Sequence, residues 1–259
     1  MQETNKELEK IKLWFDTNKL SLNLKNTKLM MFGNGRNNLQ IEIKLDGVVI
    51  EKVNEIQFLG VIIDNKANWK PHISYVRSKV SRSIGIIGRA RPVLNQKSLR
   101  MLYCSLVLLY FTYCVEMWGN NYTTIVQPLV ILQKRALRII HGAGYREHTN
   151  IFFMESKLLK FKDLVDLQTV QILYRAKCND LPQNVQKLFI WREGGYVLRG
   201  KLNFILPMVH SRKKSFCVSI QGVKLWNNLN EKLKECPNIK QFRKRFKEMI
   251  FERYKNEGK

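Results

Sequence analysis

A chain of 259 residues with 45% hydrophobic and 10% aromatic side chains can bury a sizeable core, which excludes intrinsic disorder as its main character. Lys plus Arg number 45 against 21 Asp plus Glu, for a formal charge of +24 and a pI near 10.0. Such an excess repels itself unless a polyanion shares its field, so nucleic acid is the expected partner, against a merely soluble basic protein or one drawn to anionic lipid.

From Thr4 to Lys19, Leu8, Ile11 and Phe15 recur at helical spacing beneath a charged face and predict an amphipathic helix. Strand material follows: Leu29 to Phe32, then the alternating residues 41 to 45, then Asp46 and Gly47, then residues 48 to 53. Asp-Gly between two such runs is a strong hairpin signal. Phe58 to Ile63 reads as a further strand in which Gly60 allows another backbone to approach closely. Asp64 and Asn65 read as a turn at its end rather than as metal ligands.

From Trp69 the period becomes helical, with Ile73, Val76, Val80, Ile84 and Ile87 on one face, Arg77, Lys79, Arg82, Arg89 and Arg91 elsewhere, and Pro92 ending the run. A second helix, almost wholly apolar, is predicted from Gln96 to Met117. Its core, Met101 to Val115, is short for a membrane span and carries Tyr, Ser and Thr, so a buried helix is expected. A third helix, Thr124 to Ile140, turns Ile125, Leu129, Leu132, Ala136 and Ile139 inward and leaves Lys134, Arg135 and Arg138 outward. After the break at Gly142 and Gly144, a helix resumes over Lys162 to Lys177, and Gly194 to Ser219 reads as irregular. A last helix, introduced by Pro237 and Asn238, aligns Ile239, Phe242, Phe246 and Met249 among Lys240, Arg243, Lys244, Arg245 and Lys247. The fold class expected is α+β, mainly α: a short helix and antiparallel strands, then a helical bundle with a helical extension.

Cys104, Cys114, Cys178, Cys217 and Cys236 are odd in number and widely spaced, with no signal peptide before them. That usage points to reduced thiols in an intracellular protein, nucleus and cytoplasm not being distinguished. His72, His141, His148 and His210 do not combine with them at finger-like spacing, so no metal site is expected.

Trp14, Asn18, Lys19, Leu20, Leu22 and Asn23 form a W-x-x-x-N-K-L-x-L-N run that resembles reverse transcriptases of non-LTR (LINE-type, jockey-like) retrotransposons, where it follows the catalytic turn of the palm. The likeness continues in order through Thr27, Met30, Phe32, the run Phe58 to Val61, Asp64, Trp69, His72 and Ile73. It goes on through Tyr103, Tyr113, Cys114, Trp118, Gly119, Gln133 to Ala136, Arg138, Gly222, Trp226, Asn227 and Phe242. Collinearity over nearly the whole chain is what makes it specific.

The resemblance implies a palm remnant over residues 1–66, with Phe58, Leu59, Gly60 and Val61 as a primer-grip-like strand. It also implies a thumb-like helical bundle over 67–145 and a basic helical extension over 146–259. Arg77, Arg82, Arg89, Lys134, Arg135 and Arg138 are the expected contacts to RNA, DNA or their hybrid. Polymerase chemistry needs convergent carboxylates around two metal ions, normally with adjacent aspartates. Here Asp16, Asp46, Asp64, Asp163, Asp166 and Asp180 include no such pair, and in the family that turn lies just before the first helix. Asn26 also stands where the family usually has a lysine before Thr27, removing a side chain that could serve the leaving pyrophosphate. The expectation is a truncated member that holds primer and template without catalysing by itself. It needs no cofactor of its own, Mg2+ entering only if an upstream palm completes the site. The alternative is a protein-interaction module, using apolar surface that the palm and fingers would have covered. Membrane attachment through the last basic helix is the weaker reading.

Overall fold

A computed structural model describes residues 2–33, 42–45, 47–192, 202–209 and 211–257. They divide into two units, Met1–His72 and Ile73–Lys259. The architecture is α+β and mainly helical, with short antiparallel and parallel strand pairs confined to the first unit apart from one isolated bridge.

The first unit opens with α1 (Gln2–Thr17), as the apolar spacing predicts. Leu8 and Phe15 are half-buried, but Ile11 and the neighbouring Leu13 and Trp14 remain exposed. The expected strand from Leu29 to Phe32 shrinks to β1 (Lys28–Leu29), paired in parallel with β4 (Glu51–Lys52) and closed by a Lys28 to Glu51 ion pair of 2.5 Å. Between them β2 (Lys44–Leu45) and β3 (Val48–Val49) form the predicted hairpin, Leu45 opposite Val48, with Gly47 at φ 70°. Only glycine adopts that left-handed backbone without steric cost, which is why an Asp-Gly pair marks the turn. Asp46 itself lies outside the described residues.

The continuous strand expected over Phe58 to Ile63 is instead a second hairpin. β5 (Glu55–Phe58) pairs antiparallel with β6 (Val61–Asp64), Phe58 facing Val61, and the chain reverses at Leu59 and Gly60. Both turn residues have positive φ, 46° and 81°, the conformation of the two-residue turns that match strand twist. Gly60 therefore supplies a turn conformation, a role that apolar neighbours on both sides conceal in the sequence.

In the second unit, α2 (Lys70–Ala90, its first turn shared with the first unit) buries the predicted stripe, Ile73, Val76, Val80, Ile84 and Ile87. The single helix expected from Gln96 to Met117 is interrupted. It begins as α3 (Gln96–Tyr103), capped by the Asn95 side chain on the Ser98 N–H. It widens into a π-turn over Cys104–Leu108, continues as α4 (Leu109–Thr112), breaks where Cys114 adopts φ 49°, and ends in α5 (Val115–Trp118). The π-turn has a geometric reason. Leu99, Tyr103, Val107 and Phe111 are fully buried at intervals of four, wider than the 3.6-residue turn, and an i→i+5 turn absorbs the drift that would otherwise carry the stripe off the core.

α6 (Thr123–His141) buries Leu129, Gln133, Ala136, Leu137 and Ile140. Its inward face is thus rotated from the expected one: Ile125, Leu132 and Ile139 are half-buried, and the polar Gln133 is inside. Gln133 earns that place by hydrogen bonds: its amide N–H donates to Tyr103 Oη and the Leu159 carbonyl, both at 3.0 Å, and its oxygen accepts from the Phe161 N–H at 2.7 Å. After α7 (Asn150–Glu155), α8 (Phe161–Lys177) forms the central post, against which α10 (Val218–Asn227) and α12 (Ile239–Glu257) pack, with short α9 (Gln183–Gln186) and α11 (Glu231–Lys234) between. α12 turns Phe242, Phe246, Ile250 and Tyr254 inward, so Met249, expected on that face, is 41% exposed. Asn238 caps its start, accepting from the Gln241 N–H at 2.9 Å. Buried Asp163 on α8 accepts from Tyr254 Oη and pairs with Arg253, locking α12 in place. In the stretch expected to be irregular, Gly194 to Ser219, Phe204 bridges and stacks on Trp191, which precedes the stretch, beside Trp226, while residues 194–201 and 210 lie outside the described residues.

Candidate nucleic-acid interface

Phe58 and Leu59 project from the β5–β6 turn at 60% and 75% exposure, with Gly60 exposed and Val61 half-buried behind them. Two large apolar side chains at a hairpin tip form a contact surface without chemistry of its own. The base of that hairpin is fixed by Asp64, which is buried at 4% exposure. Its carboxylate accepts backbone N–H groups from Lys66 at 3.0 Å, Asn68 at 3.1 Å and Trp69 at 2.8 Å. The turn reading of Asp64 is what the structure shows: its oxygens are occupied by the chain that leads into α2, where Ala67 and Trp69 hold positive φ. His72 continues the joint, its Nδ1 accepting the Ile62 N–H at 3.3 Å, and burial holds its imidazole below the usual histidine range.

In the second unit, Arg77, Arg82 and Arg89 are all exposed on α2. Arg82 and Arg89 lie seven residues apart and so share a face, whereas Arg77 points about 140° away by helical geometry. Arg82 donates to Ser78 through Nε to the carbonyl at 3.4 Å and through Nη2 to Oγ at 3.3 Å, which steadies its stem along the helix. On α6, Lys134 and Arg135 are exposed and Arg138 is half-buried, its Nε donating to the Glu147 carbonyl at 3.0 Å.

The six predicted cations do not form one cluster. What the fold gathers is Arg135 and Arg138 with Arg91, a residue that sequence reasoning placed on α2 without singling out. α2 and α6 approach near Gly88, where a Cβ would lie 3.9 Å from Ile139 Cδ1. Arg91 Nη2 then rests against Gly142, 3.0 Å from where a Cβ would stand. Arg91, Arg135 and Arg138 line a cleft of about 240 Å³ with Ile139, Ala143 and Tyr145. Tyr145, 86% exposed, was also missed, because a lone tyrosine in a Gly-rich break carries no periodic signal. Beside the cleft, His141 ends α6 with Nδ1 3.2 Å from Glu155 and Nε2 2.7 Å from Ser156 Oγ, its ring stacked on Phe152. Burial lowers its pKa, with Glu155 partly opposing the shift.

Two aspartates of the helical unit are committed structurally, Asp163 to Arg253 and Tyr254 and Asp166 to Lys162 at 2.7 Å, while Asp180 is exposed just beyond the end of α8. Among the described residues no group of three or more His, Cys, Asp or Glu converges as metal ligands, and no helix is long and apolar enough to cross a membrane. The described residues therefore do not by themselves gather the carboxylates of a two-metal centre.

Parts of the chain are similar in sequence to proteins of mobile elements. The chain is 26% identical over 109 residues to a Drosophila melanogaster protein named "Probable RNA-directed DNA polymerase from transposon BS", covering 40% of this chain and 12% of that protein. It is 28% identical over 100 residues to a Pol polyprotein from the type-1 retrotransposable element R1 of Bradysia coprophila, covering 36% and 10% respectively. It is 22% identical over 149 residues to the RNA-directed DNA polymerase from mobile element jockey of Drosophila funebris, covering 56% and 16%. The matched stretches thus span well under a fifth of each relative. No family model matches the chain. No solved structure matches it either.

Proposed function

We propose, from a chain whose sequence resembles the RNA-directed DNA polymerases of non-LTR retrotransposons, that these residues bind RNA, DNA or an RNA–DNA primer-template through the cationic faces of α2 and α6. The observation that carries the reading is the outward set Arg77, Arg82, Arg89, Lys134 and Arg135, with Arg138 at its edge, on a chain of net charge +24. Guanidinium and ammonium groups on rigid helices neutralise phosphates without reading base sequence, so the binding is nonspecific and driven largely by counterion release. The hairpin tip of Phe58 and Leu59 adds an apolar contact to the primer strand in this reading, and α2 with its neighbours acts as a thumb.

The proposed role is holding rather than copying. No two aspartates are adjacent in the sequence, and Asp64, Asp163 and Asp166 are spent on backbone amides or cations. Mg2+-dependent polymerisation would need carboxylates supplied by a palm from a longer product. A second reading, a protein-interaction module, is favoured by exposed Leu13, Trp14, Phe58 and Leu59 in the first unit and by Leu188, Ile190 and Met208 in the second.

Titrating the purified chain into a labelled RNA–DNA primer-template at several salt concentrations, with nucleotide and magnesium in one series, separates these. Affinity that falls steeply with salt, without primer extension, supports holding. Extension overturns the non-catalytic part, and absence of binding at low salt overturns the whole and leaves the interaction module.

A further inference from the structure

The Arg91–Arg135–Arg138 cleft differs from the convex helix faces around it: it is concave, carries three cations and is edged by an exposed aromatic ring. We propose that it seats a nucleoside phosphate, the phosphate on the arginines and the base against Tyr145, with a single-stranded residue of a bound nucleic acid as the source. The proposal rests on the nucleic-acid reading above and adds to it a preference for an unpaired strand at one place.

Several features make the cleft a built one. Among the described residues no carboxylate pairs with Arg91, Arg135 or Arg138, whereas Arg253 elsewhere is matched by Asp163 and Glu257. The nearby Glu147 does not neutralise them as an ion pair either: its carboxylate accepts the Gly144 N–H at 2.5 Å, and its carbonyl takes Arg138 Nε, which orients that guanidinium. Gly142 has φ 71° and leaves the space that Arg91 Nη2 occupies, so a side chain there would be both strained and in the way. Ile139 and Ala143 give the cleft apolar lining. Planar guanidinium forks suit phosphate oxygens, and an exposed ring beside them suits a base that is not already stacked in a duplex. A duplex offers phosphates along a broad convex surface, which the exposed arginines of α2 meet better than a cleft of about 240 Å³. A free nucleotide carries the same two groups and is the other possible source.

Anisotropy titrations of the full chain with a blunt RNA–DNA duplex, and with the same duplex bearing a single-stranded tail, test this. The tail is expected to tighten binding, and Tyr145→Ala to remove roughly tenfold of that advantage, as the loss of one base–aromatic stack does. Tyr145→Phe should retain it. Arg135→Gln should shrink the tail's advantage, whereas Arg77→Gln, which removes an equal charge outside the cleft, should weaken both duplexes alike. If mononucleotide competes away the tail's advantage at concentrations far below those of bulk salt effects, the source is a free nucleotide in the same cleft. If it does not, the source is the strand. Wild-type binding with no tail preference, or a Tyr145→Ala loss equal on both duplexes, overturns the cleft assignment while leaving the proposed function standing. Failure of the wild type to bind either duplex removes both.

Discussion

Asp64 shows how much one side chain can organise. Replacing it with Ala leaves the N–H groups of Lys66, Asn68 and Trp69 without their shared acceptor in a turn that already holds two non-glycine residues at positive φ. The expected cost is about 1–3 kcal/mol, read as a lowered unfolding midpoint with faster hydrogen exchange at those amides, and Asn should recover part of it. Two histidines contribute to the response to acid. Burial lowers the pKa of both His72 and His141, so the folded protein keeps them neutral to lower pH than the unfolded chain does. Their contribution to stability is then complete above the unfolded value of about 6.5 and is lost as pH drops from there through the lowered folded values, because the unfolded state binds the extra protons. Thermal melts between about pH 5 and pH 8 should show that decline, and His141→Gln should make it shallower. The turn role of Asp64 was legible from its place after an apolar run. The turn at Leu59 and Gly60 was not, since leucine gives no sign of a left-handed backbone.

At the scale of elements, helices announced themselves by period, and the stripe of α2 is buried residue for residue as read. Interruptions did not. The break at Cys114 falls on Tyr-Cys, residues without turn preference, and the rotation of α6 depends on Gln133 finding Tyr103, Leu159 and Phe161 far away in sequence. Close packing of α8 and α10 depends on Gly222, where an added Cβ would collide with Leu173 Cδ2 and approach Thr169 Cγ2 to 3.1 Å. Gly222→Ala should therefore destabilise by about 1–3 kcal/mol despite improving helix propensity, as denaturant melts would show; an increase in stability would mean the two helices part easily.

For the molecule as a whole, charge is the property that composition exposed and the fold arranges. With 45 basic residues against 21 acidic ones, the folded chain works against its own field. Raising salt from about 10 mM to about 300 mM should raise the melting temperature by screening that repulsion, and a short polyanion should do so at far lower concentration. A melting temperature that is flat or falling over that range would show that the charges are already balanced locally. Which cations converge was beyond sequence reading, because Arg91 and Arg135 meet only through the approach of two helices at Gly88.

The π-turn between α3 and α4 also bears on how this region tolerates a change of length. Deleting one residue from a buried helix ordinarily swings everything beyond it by about 100° and exposes the core. Removing Ser105, an exposed residue within the π-turn, should do the reverse. Leu99, Tyr103, Val107 and Phe111 would then recur at about 3.7 residues per turn, an ordinary α-helical pitch, with the same side chains inward. Here a shortened gene would encode the more regular helix.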